Sequence, residues 1–213
     1  MKILIPMAGE GSRFVKEGYT FPKPLIDVNG KPMIQTVVEN LDFDCEYIFL
    51  VRSEHVEQYS GLIDTLDRIT NGKFKYVSVK DLTEGAACTA LLAEEYINND
   101  EDLLIANSDQ YIEYEPQNFN ILKNLTSVDA MVFTFNAVHP KWSFVKTNSR
   151  GFVVEVAEKR PISNIATCGI YWYRKGSDFV RYANQMIEKA IRVNNEMWGI
   201  GTPEDLRRFL KEK

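Results

Sequence analysis

Ile3–Ile34, ILIPMAGEGSRFVKEGYTFPKPLIDVNGKPMI, decides how the chain is read. It opens on Ile3-Leu4-Ile5, a short apolar run of the kind that forms a strand buried on both faces of a parallel sheet. The run breaks into Met7-Ala8-Gly9-Glu10-Gly11-Ser12-Arg13, where two glycines let the backbone bend sharply and approach a ligand without Cβ clashes. Successive backbone N–H groups in such a turn converge on an anion. Arg13 adds a cation with the fork geometry to grip phosphate oxygens. Further on, Pro22-Lys23-Pro24 holds a second cation between two residues of locked φ. A turn of amides with one Arg and one Lys suits a triphosphate.

Rival readings of the same stretch fail on spacing. A dinucleotide fingerprint needs a third glycine where this chain has Phe14, and a Walker A loop needs Gly-Lys-Ser/Thr after the second glycine. A plain glycine turn beside surface cations remains the bland alternative for the loop alone. The loop, however, is followed in order by Pro22-Lys23-Pro24-Leu25 and Lys31-Pro32-Met33-Ile34. That three-part series resembles the signature of the sugar-phosphate nucleotidyltransferase (nucleotide-sugar pyrophosphorylase) family.

The chain has 213 residues, which bounds it to one domain, 1–213, with a single sizeable core. Its formal net charge of −5 argues against a broad nucleic-acid footprint, which needs a basic face. Local cations still suffice for a nucleotide. No apolar run approaches the roughly 20 residues that span a bilayer, and Met1-Lys2-Ile3 opens into a strand rather than a signal peptide. Cys45, Cys88 and Cys168 show neither a paired framework nor metal-ligand spacing. A cytoplasmic, reduced protein is the expectation, with no membrane or nucleic-acid partner. Its oligomeric state stays open, a homodimer among the options.

Taken in order, Met33–Leu41 reads as a helix entered by Pro32, Tyr47–Val51 as a second buried strand, and Val56–Ile69 as one amphipathic helix that Asn71-Gly72 ends. Phe74–Val79 is a third strand, Ala86–Ile97 a helix, and Leu103–Ala106 a fourth strand. Such alternation implies a parallel sheet with right-handed crossovers. The second half changes character: Ala130–Ala137, Ser143–Thr147, Gly151–Ala157 and Thr167–Arg174 are strand-like with short connections, so some pairing is antiparallel. A helix follows Ser177, and a last one is announced by Thr202 as cap, Pro203 and Glu204-Asp205. The expected fold is α/β: a Rossmann-like (GT-A-like) mixed, mostly parallel sheet flanked by helices.

Ligands on such sheets collect at the carboxyl ends of strands, beside a reversal of strand order. Asp109 stands just past Leu103–Ala106, where a carboxylate can hold Mg²⁺ against phosphate oxygens, although an Asp there is often only a turn or cap residue. The family resemblance implies more. Asp109, in Leu104-Ile105-Ala106-Asn107-Ser108-Asp109, matches the magnesium ligand, with Ser108 beside it on the nucleotide. Met7, Ala8, Gly9, Glu10, Gly11 and Ser12 match the loop around the nucleotide phosphates, with Arg13 and Lys23 as catalytic cations. Glu84-Gly85-Ala86-Ala87 resembles the segment whose backbone meets the nucleobase; otherwise it is a glycine-assisted helix start. Glu158-Lys159 resembles the element that takes acceptor hydroxyls and phosphate, with Arg160 intervening before Pro161. Outside that context a Glu-Lys pair is solvated charge. Gly169, in Ala166-Thr167-Cys168-Gly169-Ile170-Tyr171, resembles the glycine that leaves room for the second substrate.

Trp198-Gly199-Ile200-Gly201-Thr202-Pro203-Glu204 matches the family's closing element. In relatives a strand and a second metal ligand precede it; here Glu196 runs directly into Met197, so that ligand is unassigned. The opening with Gly18-Tyr19 and Pro22-Lys23-Pro24-Leu25 resembles the branch associated with bacterial capsule and surface-polysaccharide precursors, and within it the CTP-using type. The implied partners are an NTP, with CTP favoured, and a phosphorylated acceptor that need not be a sugar. Two other classes compete. A glycosyltransferase needs an acidic D-x-D-like pair that Ser108-Asp109-Gln110-Tyr111 lacks. A non-catalytic nucleotide-sensing module is separated from an enzyme by pyrophosphate release.

Overall fold

The structure is a computed structural model that describes residues 1–196; the side chains of Arg13 and of residues 189–196 fall outside that description. The first half runs β1 (Lys2–Pro6), α1 (Ser12–Lys16), a 3₁₀ turn (Lys23–Leu25), β2 (Asp27–Val28), β3 (Lys31–Pro32), α2 (Met33–Leu41), β4 (Glu46–Arg52), α3 (Ser53–Gln58), α4 (Gly61–Thr70), β5 (Phe74–Val79), α5 (Ala86–Leu91), α6 (Glu94–Ile97) and β6 (Leu103–Ala106). The second half adds α7 (Pro116–Lys123), β7 (Ala130–Asn136), β8 (Ser143–Thr147), β9 (Val153–Glu158), β10 (Ile165–Tyr173) and α8 (Gly176–Glu196).

Strands β5, β4, β1 and β6 lie side by side and parallel, and β10 joins β6 antiparallel. The expected α/β class, with helices on both faces of a mixed sheet, therefore stands. Burial shows why β1 is apolar without alternation. Ile3, Ile5 and Met7 enter one core with α2, α4 and α7, through Ile34, Val38, Leu66 and Phe119. Leu4 and Ala8 enter the other with α5, α6 and α8, through Ala90, Ile97, Phe179 and Val180. Two covered faces leave no polar position between Ile3 and Ile5.

The antiparallel half is assembled around β10. At Tyr171–Tyr173 this strand has β7 on one edge and β6 on the other; at Ala166 its partners are Phe135 of β7 and Phe144 of β8. A strand has two edges, so β8 continues the β6 side beyond the end of β6. The β8–β9 hairpin thus extends the sheet past the loop that carries Asp109. The pairing with β7 shifts between Thr167 and Tyr171, across Gly169, whose φ is +76°.

Several sequence expectations need correcting. The helix expected over Val56–Ile69 is two, α3 and α4: Tyr59 leaves helical geometry at φ −122°, ψ 82°, and Gly61 starts the next helix. The apolar period runs through the break because Tyr59 and Ile63 still pack on the core. Ala86–Ile97 likewise divides, because Leu92 and Ala93 bond back three residues rather than four and put Ala93 in the core. Helix α7 and the β2–β3 hairpin carried too weak a period to be read. The Thr202 helix and the Trp198–Glu204 element lie outside the described residues. Among the described residues no helix is long and apolar enough to cross a membrane.

Candidate functional site

The chain leaves β1 for β4 and β5 on one side, then returns to β6 on the other. Strand order reverses at the β1/β6 pair, and a crevice opens between the loops at their carboxyl ends. The β1 loop is fixed where it starts, by Met7 N–H donating to the Leu50 carbonyl at 2.9 Å. It ends at Gly11, whose φ of +61° and whose closeness to Lys23 (a Cβ there would stand 3.2 Å from Lys23 Cβ) leave little freedom for a larger residue. Gly11 then accepts from Phe14 N–H at 2.8 Å and opens α1. Arg13 sits in α1, its side chain outside the description.

Lys23 begins the 3₁₀ turn, closed by Leu25 N–H donating to Pro22 at 2.8 Å and Ile26 N–H to Lys23 at 3.2 Å. From this turn Lys23 Nζ crosses to Asp109 Oδ2 and forms an ion pair. The two side chains are 26% and 32% exposed, so the pair is partly desolvated yet reachable by solutes. They line a polar cavity of about 250 Å³ with Gly9, Gly11, Asn107 and the buried Ser108. Among the described residues, Asp109 is the only carboxylate on that cavity. No group of three or more His, Cys, Asp or Glu able to hold a metal occurs among the described residues. A cation held here would rest on one protein carboxylate and take its other ligands from phosphates and water, a pattern that suits Mg²⁺.

A second cavity, about 480 Å³, adjoins the first and shares Pro6, Gly9 and Asn107 with it. Its walls are apolar, from Val79, Ala86, Ala90, Ile105 and Phe179, with Asp81 and Thr83 among its polar edges. The volume suits a small organic ligand. Ala86 and Ala87 line it, while Glu84 and Gly85 stand exposed beside it. Gly85 is fully extended, at φ 169°, and a Cβ there would meet nothing within 4 Å. Its carbonyl accepts from Thr89 N–H at 3.0 Å and from the Thr89 hydroxyl at 3.1 Å, which starts α5.

The structure therefore brings together Met7, Gly9, Gly11, Lys23, Ser108 and Asp109 on the polar cavity, and Ala8 on the apolar one. Glu10 sits on the rim, 3.9 Å from Arg52, which also bonds Glu54 at 3.1 Å. Glu158 and Lys159 line neither cavity. They end β9, exposed and paired to each other at 3.0 Å, with Lys159 held at φ +52° and its N–H on the Trp142 carbonyl. The hairpin places them beyond the end of β6, on the side where the crevice opens. Gly169 meets a different neighbour: a Cβ there would stand 1.9 Å from Asn107 Nδ2, so its lack of a side chain makes room for that carboxamide.

Asn107, which touches both cavities, and the edge-lining Tyr171 and Tyr173 were not among the residues singled out from the sequence. The tyrosines had a signal, since residues two apart in β10 share a face. Asn107 had none beyond its place at a strand end. A larger cavity, about 940 Å³ between the β2–β3 hairpin, α2 and Tyr111–Pro116, carries Glu39, Asp42, Glu113 and Glu115 against Lys31. Such a surface repels phosphates, and the candidate site is the smaller pair.

The nucleotidyl transferase family model matches residues 2–198. The chain belongs to this family. Among curated nucleotidyl transferase relatives it is 26% identical over 176 residues to the bifunctional protein GlmU of Methanococcus aeolicus, covering 80% of this chain and 39% of that protein. With GlmU of Methanocaldococcus jannaschii the identity is 25% over 177 residues, 82% of this chain and 40% of the relative. The chain thus spans about two fifths of the length of the curated relatives it matches. The fold is similar to a nucleoside-diphosphate-sugar pyrophosphorylase from Vibrio cholerae (TM-score 0.70, 22% identity, 87% of this chain and 78% of that one). It is also similar to a UDP-glucose pyrophosphorylase complexed with UDP-glucose (TM-score 0.67, 20% identity, 86% and 78%).

Proposed function

We propose that the protein transfers a nucleotidyl group from an NTP to a phosphorylated metabolite or sugar phosphate and releases pyrophosphate. The observation that carries this is the Lys23–Asp109 pair spanning a polar cavity between the glycine loop and the end of β6, next to an apolar cavity sized for a base. In the reaction an acceptor phosphate oxygen forms a bond to the α-phosphorus. The bond from that phosphorus to the bridging oxygen breaks, and pyrophosphate departs with the electron pair. A phosphate monoester is already anionic near neutral pH, so the site needs alignment and charge neutralisation rather than a protein nucleophile.

The roles are assigned from the family resemblance, supported for Lys23 and Asp109 by their meeting on the polar cavity. Backbone amides of the Gly9–Ser12 turn, with Arg13, hold the terminal phosphates and stabilise the departing pyrophosphate. Lys23 neutralises the α-phosphate as charge accumulates there. Asp109 holds Mg²⁺, which supplies charge neutralisation on the phosphate oxygens. The backbone beside Gly85 borders the base and, on the family resemblance, Glu158 and Lys159 receive the acceptor, while Gly169 makes room for the Asn107 carboxamide rather than for a second substrate. CTP is the favoured donor and capsule or surface-polysaccharide precursor synthesis the favoured setting, both supported by the likeness of the opening stretch to that branch. Phosphoglutamine, taken by CTP:phosphoglutamine cytidylyltransferase, is then an acceptor to test beside sugar phosphates.

A non-catalytic nucleotide-binding module is the second reading, supported by the direct run of Glu196 into Met197 where a second metal ligand is expected. One experiment separates them. All NTPs are ranked by thermal shift with Mg²⁺, and the best binder is assayed for pyrophosphate release with phosphorylated acceptors. Release that depends on an acceptor supports the enzyme; tight binding with no release across the acceptor panel supports the module.

A further inference from the structure

Between the two cavities lies a narrow boundary made of Pro6, Gly9 and Asn107. A nucleotide with its base in the apolar cavity and its phosphates in the polar one must lay its ribose across that boundary. Of the three residues, only Asn107 brings polar side-chain atoms. Its carboxamide is exposed and makes no hydrogen bond to the rest of the described protein, and the missing Cβ of Gly169 leaves the room it occupies. Asn107 N–H is itself anchored on the Gly169 carbonyl at 3.1 Å, so the backbone that carries the carboxamide is tied to β10. An amide both donates and accepts, which matches a ribose hydroxyl in either sense.

We infer that Asn107 is a specificity residue that binds the ribose hydroxyls and makes the site select ribonucleotides over deoxynucleotides. The inference rests on the nucleotide reading above. An open polar site loses little by leaving a surface amide to water, so the discrimination is modest, about five- to tenfold for one neutral hydrogen bond.

The test measures binding by calorimetry with Mg²⁺, using the best-binding ribonucleoside triphosphate and its 2′-deoxy and 3′-deoxy counterparts. The expected result is a five- to tenfold preference for the ribonucleotide in the unaltered protein. That gap should close in Asn107→Ala and in Asn107→Leu, which keeps the bulk over Gly169, while affinity for the weaker deoxy counterpart holds. A general packing defect would weaken all three ligands alike and leave the ratio intact. A preference that persists in both variants, or that is missing in the unaltered protein, overturns the assignment of Asn107 while leaving the nucleotide site standing. Absence of binding by every triphosphate would overturn the nucleotide reading and this inference together.

Discussion

Lys23 Nζ and Asp109 Oδ2, 86 positions apart in sequence, meet across the crevice in an ion pair. Each compensates the charge the other would otherwise present alone to the polar cavity. The same contact means that both groups have a partner to give up when phosphates and a divalent cation arrive. In the proposed reaction, a cation that takes Asp109 would release Lys23 to the triphosphate.

Removing Lys23 follows directly. Lys23→Ala should lower kcat by about 10²–10³, the loss seen when a charge-stabilising donor is deleted at a reacting centre. The same substitution leaves Asp109 without its cation and should tighten binding of Mn²⁺ alone, read by electron paramagnetic resonance without nucleotide. Near-normal turnover in Lys23→Ala would contradict the role, and unchanged Mn²⁺ affinity would contradict the competition.

Asp109→Asn keeps the shape and removes the charge. It should abolish Mn²⁺ binding to the protein and cut turnover at saturating Mg²⁺, with the thermal midpoint little changed, because the pair is partly exposed and contributes modestly to stability. Retained Mn²⁺ binding would place the metal on other groups.

Gly169→Ala tests the contact under Asn107. The backbone there has φ +76°, which costs a non-glycine residue about 1–2 kcal/mol, and the new methyl evicts the Asn107 carboxamide. Chemical denaturation should show a loss of that size. Nucleotide affinity should fall with it, and Asn107→Ala should add little further loss in a Gly169→Ala background. Additive losses would show that the two residues act independently.

Much of this was legible in the sequence for stated physical reasons. Ile3-Leu4-Ile5 is apolar without alternation because both faces of β1 are covered, and the loop after it could be read because glycines, Arg13 and Lys23 recur in a fixed order. The separation of α3 from α4 was hidden because Tyr59 packs on the core whether or not it is helical. The role of Gly169 in accommodating Asn107 was hidden for a different reason. It depends on β10 lying beside β6, a contact between segments about 60 residues apart that no local pattern encodes.

Thiol reactivity offers a test of the core that β1 shares with α2, α4 and α7, which holds Cys45 and Cys168. Burial raises the Cys45 thiol to about 11 and raises that of Cys168 as well, so both stay protonated at pH 8 inside the core. Cys88, on α5, is only half-buried. Ellman's reagent should therefore label one thiol in the native protein and three after denaturation, and Cys88→Ser should abolish the native signal. Rapid native labelling of Cys45 would show that the cover over β4 opens.

His55 makes stability depend on pH in a defined direction. Burial, aided by the nearby Arg52 guanidinium, lowers its pKa below the ordinary value, and its buried Nδ1 has no hydrogen-bond partner. The folded state therefore binds the imidazole proton more weakly than the unfolded chain does. The stabilisation is fully present above the unfolded value of about 6.5 and is lost as pH falls from there through the lower folded value. Thermal midpoints should decline from pH 7 to pH 5. Carboxylates contribute to that slope too, since Glu39 is held below its usual range by hydrogen bonds from Gln35 and Lys31. The His55 share is the difference between the unaltered protein and His55→Gln: the variant should be less pH-sensitive across that window, and identical slopes would remove His55 from the account.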